Sequence, residues 1–133
     1  MSTFRAQLYS LLLTLSVCSP AVAEVTNFSQ DVSDSIDAGL TWLDNNSAFN
    51  NPSSAGNAAG LVALALLERR VNADQNADSS GYTNATLVDQ TRIQNVITYI
   101  INRSITANFY AYRDGADLMA LCLYIRTGGP SQA

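Results

Sequence analysis

The chain has 133 residues, a net charge of −4, no histidine and two cysteines. Its length fits a single domain. An acidic balance without any basic cluster argues against nucleic acid and anionic membrane surfaces as partners. Without histidine, and with so little cysteine, no zinc site of the usual kind is expected, and we predict neither a metal nor a cofactor.

The first 23 residues have the organisation of a secretory signal peptide. Arg5 is followed by the apolar run Leu8–Val17 and then by Ala21-Val22-Ala23, which suits signal-peptidase cleavage before Glu24. The apolar run is shorter than the roughly 20 residues that span a bilayer. We therefore expect export to the periplasm or the extracellular space. Lipidation of Cys18 is the alternative, which the bulky residue before it disfavours.

A first amphipathic helix is predicted from about Asp31 to Asp44. Its apolar stripe, spaced by four, four and three residues, consists of Val32, Ile36, Leu40 and Leu43. Ser29 is the expected N-cap, and Asn45-Asn46 is the expected end. The following segment, SAFNNPSSAGN, is predicted to be a polar loop.

The second helix is predicted from Ala58 to Leu67, where every residue is apolar or glycine. A helix that is apolar all round is normally buried between neighbours, and one this short is a core helix rather than a membrane span. Small residues such as Gly60 allow another helix to approach closely.

The stretch from Asn72 to Ala85 is the most polar of the chain and is predicted to be a loop. Three alternating side chains in it match the first half of a calcium-binding loop: Asp74, Asn76 and Asp78. The EF-hand pattern also requires glycine at its sixth position and glutamate at its twelfth, where this chain has Ser79 and Ala85. A solvated loop is therefore favoured, and calcium binding is the alternative.

Two further helices are predicted, from about Thr86 to Arg103 and from about Asp114 to Thr127. The third helix has an apolar stripe made of Ile93, Val96, Ile97, Ile100 and Ile101. Gly128-Gly129-Pro130 should end the fourth helix, as a C-terminal glycine and a following proline do. Because no segment shows a strand pattern, the predicted fold class is all-α.

The two pairs of helices repeat each other at an offset of 57 residues. AGLVALALLER at 59–69 corresponds to ADLMALCLYIR at 116–126, with six identical positions. In the amphipathic helices, Ile36 corresponds to Ile93 and Trp42 to Tyr99. One offset shared by two different helices predicts two helical hairpins, at about 29–70 and about 84–129, within a domain from 24 to 133.

The segments SIDAGLTWLDNN and NAAGLVALALLERR resemble the repeat of the squalene cyclase and protein prenyltransferase superfamily. The matching residues are Ile36, Gly39, Leu40, Trp42, Leu43, Ala59, Leu61, Ala63, Leu64, Leu66 and Leu67. The second hairpin matches more loosely, with Tyr99 in the tryptophan position. The resemblance implies an α/α toroid, with the second and fourth helices in the inner ring. Since a closed toroid needs more than two hairpins, we expect an N-terminal part of a longer protein; a short, self-associating stack is the alternative.

The catalytic motifs of this superfamily do not occur in the sequence. Asp114 and Asp117 share a helix face, but a helix N-terminus favours the charged carboxylate, which is the opposite of what a general acid needs. They are predicted to be an N-cap and a first-turn charge. Cys122 lies in an apolar run and is predicted to be a buried thiol.

Four aromatic residues are predicted to pack one hairpin on the next: Tyr82, Phe109, Tyr110 and Tyr112. A pocket for an apolar ligand is the alternative. The expected function is that of an exported, non-catalytic structural or binding module with an unidentified ligand or protein partner. The alternative is the N-terminal part of an isoprenoid cyclase or prenyltransferase-like enzyme whose active site lies in further repeats.

Overall fold

The computed structural model describes residues 25–103 and 108–131, and the proposed signal peptide lies outside these ranges. The described part is mostly helical and contains no strand, so the all-α prediction is confirmed. The elements in chain order are α1 (Asn27–Asn45), a 3₁₀ helix (Pro52–Ala58), α2 (Ala59–Leu67), α3 (Leu87–Arg103) and α4 (Ala111–Arg126).

Helix α1 begins four residues before the predicted start, because Thr26 rather than Ser29 is its N-cap. The Thr26 hydroxyl accepts the Ser29 N–H at 3.1 Å, and the Ser29 hydroxyl oxygen accepts the Thr26 N–H at 2.9 Å. This reciprocal capping box satisfies two N–H groups that have no partner within the helix. The predicted end is confirmed, since Asn46 is the C-cap.

Helix α2 lies at the centre of the core, as predicted. Six of its nine residues are buried, and it packs most extensively on α4 and next on α3. A Cβ atom placed on Gly60 would lie only 2.5 Å from the carbonyl carbon of Ala116. The small residue at position 60 therefore lets the two helix backbones touch.

Helices α2 and α4 run in the same direction. Their N-terminal parts meet at Gly60 and Ala116. Their C-terminal ends reach the same loop, where the Leu67 carbonyl accepts the Gly81 N–H at 3.0 Å and the Thr127 carbonyl accepts the Thr83 N–H at 3.2 Å. This loop ties the ends of both helices together.

Helix α3 runs antiparallel to α2 and completes the core. Its start approaches the end of α2, where Arg69 lies 3.7 Å from Asp89, and its last residue, Arg103, donates to the carbonyl of Gly56 before α2. The predicted apolar stripe is confirmed for Ile93, Val96, Ile97 and Ile100, which are fully buried, and Ile101 is partly buried against the core.

The segment between α1 and α2 is not simply a polar loop. Phe49 and Ala48 belong to the hydrophobic core, and the Phe49 ring is completely buried. The guanidinium of Arg92 lies 5.2 Å from the centre of this ring, in a cation–π arrangement. The prediction was wrong here because two apolar residues among polar neighbours show no periodicity.

Helix α4 begins one turn earlier than predicted. Asp114 lies inside the first turn, and its carboxylate accepts the Tyr110 N–H at 2.6 Å, so it caps the helix from within. At the other end Gly128 has a φ of 87°, the left-handed conformation that favours glycine after a helix. The predicted glycine stop is confirmed.

Candidate binding cleft

The apolar stripe of α1 is covered along only half of its length. At 1.5 Å per residue, the 19 residues of α1 extend about 28 Å, whereas the nine residues of α2 extend about 14 Å. Leu40 and Leu43 pack against the core. Nearer the N-terminus, Phe28, Val32 and Ile36 are 70%, 42% and 44% exposed. The first half of the stripe thus extends beyond the core.

This uncovered half forms one wall of a cleft of about 760 Å³. The opposite wall is the segment 68–76, which leaves the end of α2. The larger apolar side chains lie mainly on one wall and most of the charged ones on the other. The α1 wall, called the apolar wall, presents Phe28, Val32 and Ile36 among the polar residues Ser29, Gln30, Ser33 and Asp37. The polar wall contains Glu68, Arg69, Arg70, Asn72, Gln75 and Asn76 together with Val71 and Ala73.

Hydrogen bonds within the segment hold the polar wall in place. The side chain of Asn72 accepts the Asp74 N–H, and that of Asp74 accepts the Asn76 N–H, each at 2.8 Å. The Arg70 guanidinium donates to the carbonyls of Asp74 and Gln75. The wall is therefore a sequence of tight turns braced by an arginine.

The possible calcium loop is part of this wall. One carboxylate oxygen of Asp74 accepts a backbone N–H, and the backbone carbonyl of Asp78 accepts the Val71 N–H at 3.3 Å. Among the described residues, no three His, Cys, Asp or Glu side chains lie close enough together to hold a metal ion. The Asp74 side chain is thus used in a turn, and calcium binding stays the alternative.

Ion pairs tie α1 to the rest of the fold, one at the base of the cleft and others beside it. Arg69 lies 2.8 Å from Asp37 on α1, so it links α1 to the end of α2. Arg92 on α3 lies 2.5 Å from Asp44 and 3.0 Å from Asp89. Sequence reasoning could have found the pair at 89 and 92, which are three residues apart on a helix. The pairs between helices could not be found without the fold.

The two carboxylates singled out on α4 have different surroundings. Asp114 pairs with Arg113 at 2.6 Å, and this hydrogen bond, together with the Tyr110 N–H, lowers the pKa of Asp114. Asp117 is buried and lies 2.5 Å from Arg103 of α3. The predicted N-cap and first-turn charge were therefore wrong: Tyr110 is the N-cap, Asp114 lies in the first turn, and Asp117 lies beyond it, paired with a cation on another helix.

Cys122 is exposed, and the prediction of a buried thiol was wrong. The buried face of α4 consists of Ala116, Asp117, Ala120, Leu123 and Tyr124. At 100° per residue, position 122 lies on the opposite side of the helix. An apolar run does not show which of its residues face the core.

The four aromatic residues do not form a common pocket. Tyr82 packs edge-on against Tyr124, with the ring centres 5.1 Å apart, and its hydroxyl accepts a hydrogen bond from Gln94. The exposed remainder comprises Phe109, Tyr110 and Tyr112. Tyr82 thus packs on α3 and α4, and the prediction that these aromatic residues pack one hairpin on the next was wrong for the three exposed ones. None of the four lines the cleft.

No family model matches the chain, and neither the curated proteins nor the solved structures contain a significant match. The resemblance to the squalene cyclase and prenyltransferase repeat therefore depends on the residues alone. None of the helices within 25–103 and 108–131 combines the length and apolarity needed to cross a membrane.

Proposed function

We propose that this protein is an exported, non-catalytic module of helical-hairpin repeats that binds an amphipathic segment of a partner protein in the α1 cleft. The observation that carries the proposal is the uncovered half of the α1 stripe. It faces the polar wall in a cleft with a volume of about 760 Å³. A groove with an apolar stripe on one wall and mostly polar side chains on the other suits a segment that has one apolar face and one polar face.

The proposed repeat arrangement is that of the α/α toroid. It is supported by the common direction of α2 and α4, which occupy equivalent places in the two hairpins. It is also supported by contact at Gly60 and Asp117, which correspond to each other at the offset of 57 residues. Inner helices of successive hairpins would pack in this way.

The chemistry of the cleft favours binding over catalysis. Arg69 and Asp37 neutralise each other at its base, and Arg70 is engaged by backbone carbonyls. On α4 the pKa of Asp114 is lowered, so this carboxylate is a weaker acid–base candidate at neutral pH. The net charge of −4 favours a partner segment with a basic polar face.

The test is an NMR titration of the isotope-labelled protein with a Leu/Lys amphipathic peptide of about 14 residues, which spans about 21 Å as a helix. We expect backbone shifts concentrated at 28–36 and 68–76. Val32→Asp should weaken binding about tenfold or more, because it places a charge on the apolar wall. Val88→Asp, an exposed valine on α3, is the matched control and should change little.

A scrambled peptide with no apolar face should not bind. Shifts confined to other surfaces, or equal binding by the Val32→Asp and Val88→Asp proteins, would contradict the proposed cleft. Circular dichroism of both variants shows whether the fold is intact.

A further inference from the structure

Helix α4 has a second apolar face, opposite the one that packs into the core. We call this surface the α4 outer face, formed by Tyr112, Leu118, Met119, Cys122 and Ile125. Of its larger side chains, Tyr112, Leu118 and Met119 are each 62% exposed and Ile125 is 66% exposed. The spacing of 118, 122 and 125 is that of a helix stripe made for contact with another apolar surface.

The α4 outer face is large enough for a protein contact. Its side chains expose on the order of 500 Å², near the top of the range of about 300–600 Å² for the largest patch of a typical monomer. Phe109 and Tyr110, which precede α4, are also exposed. They extend the surface towards the approximately 800 Å² that each partner contributes to a standard interface.

The charges around this face favour a second copy of the chain. A net charge of −4 opposes association through most of the surface, but the five residues of the α4 outer face are uncharged and the exposed charged residue beside them, Arg126 in the last turn, is a cation. Asp117, which lies between them in sequence, is buried and paired with Arg103. Two copies meeting at this face would not bring carboxylates together.

We propose that two copies pair through this face, α4 against α4, antiparallel about a two-fold axis. Antiparallel pairing opposes the two helix dipoles and brings Arg126 at the end of one α4 near Asp114 at the start of the other. It also sets identical apolar rows against each other, as a two-fold contact requires. This surface is distinct from the α1 cleft, so the pairing does not depend on the proposed function.

The first test is sedimentation equilibrium of the full chain from low to high micromolar concentration. We expect a concentration-dependent monomer–dimer equilibrium. Leu118→Glu places two like charges at the centre of the contact and should weaken the dimer about 100-fold or more. Leu87→Glu is the matched control, because Leu87 is an exposed leucine on α3, and it should leave the dimer unchanged.

A second test uses Cys122 as a reporter. In an antiparallel pair crossing between Met119 and Cys122, the two thiols lie within reach of each other. Diamide should then convert them to one intermolecular disulfide, taking up the two electrons and two protons released. Cys122→Ala should abolish this cross-link, whereas a cross-link that persists would come from Cys18.

Three results would overturn the proposal. One is a monomer at all concentrations. Another is a dimer that survives both Leu118→Glu and Met119→Glu. The third is a dimer in which Cys122 never cross-links. Circular dichroism confirms that each variant is folded, and two independent substitutions on the face keep the test decisive.

Discussion

The first amphipathic helix of each hairpin has the same apolar pattern but a different environment. In α3 four of the five stripe residues are completely buried and Ile101 is partly buried, because α3 packs on α2, on the 3₁₀ helix and on α4 and is tied at its last residue to the backbone before α2. In α1 the N-terminal half of the stripe is exposed, because α1 packs on α2 through Leu40 and Leu43 and no other helix of the described residues covers its first half. The number of elements packed around a stripe therefore decides how much of it becomes core.

The sharpest test of this comparison uses the same substitution at equivalent positions. Ile93→Ala removes a fully buried side chain and should lower the free energy of unfolding by about 3–4 kcal/mol. Ile36→Ala removes a side chain that is already largely exposed in the cleft and should cost less than about 1 kcal/mol. Urea unfolding followed by circular dichroism measures both.

If Ile93→Ala and Ile36→Ala lowered the free energy of unfolding equally, the contrast between a buried α3 stripe and an exposed α1 stripe would be contradicted. Equal losses would mean that the α1 stripe is covered in solution, for example by a partner or by another part of the chain. The same measurement across a range of protein concentrations separates these cases, since only association makes stability concentration-dependent.

A second contrast concerns two glycines, Gly60 at the contact between α2 and α4 and Gly39 on the open side of α1. Gly60→Ala should destabilise the protein by about 3 kcal/mol, because the added Cβ meets the backbone of α4, which cannot move like a flexible side chain. Gly39→Ala on α1 meets nothing within 4 Å and should stabilise the helix by up to about 1 kcal/mol. Thermal and urea unfolding should show that the free energy of unfolding falls in the Gly60→Ala protein and rises in the Gly39→Ala protein.

A Gly60→Ala protein as stable as the parent would show that α2 and α4 separate without cost. The repeat contact between these helices would then contribute little to the fold. The Gly39→Ala variant shows whether helix propensity alone accounts for any change.

Much of the fold could be predicted from the sequence, because helix periodicity and end signals are local. The α3 stripe, the burial of α2 and the glycine stop after α4 depend on a few neighbouring residues each. The core position of Phe49 could not be predicted, since it depends on the guanidinium and helices that surround it. The partner of Asp117 was missed for the same reason, since Arg103 is on another helix.

The candidate cleft was not predictable from any motif. It exists because α1 begins early, at the Thr26 cap, and α2 is short. The sequence contains both facts, but the cleft also requires the turn at 68–76 to face the exposed half of α1. Only the relative placement of three segments creates the site, and periodicity contains no information about such placement.

The smallest expected effect is the pH dependence of the start of α4. The hydrogen bond with Arg113 and the Tyr110 N–H lower the pKa of Asp114 below its ordinary value of 3.8. A carboxyl whose folded pKa is depressed stabilises the protein above the unfolded pKa, and this stabilisation is lost as the pH falls below it. Asp114→Asn should therefore lower Tm slightly at pH 6, and the Tm difference should shrink as the pH falls from the unfolded pKa through the folded pKa of Asp114.

Thermal unfolding of the two proteins between pH 2 and 6 measures this convergence. Because asparagine can still accept the Tyr110 N–H, the comparison isolates the charge rather than the cap. Arg113→Gln removes the largest cause of the lowered pKa of Asp114. In a protein that carries Arg113→Gln, Asp114→Asn should therefore change Tm less. A Tm difference that stays constant down to pH 2 would mean that the substitution acts through the cap geometry, and the pair with Arg113 would then contribute nothing to α4.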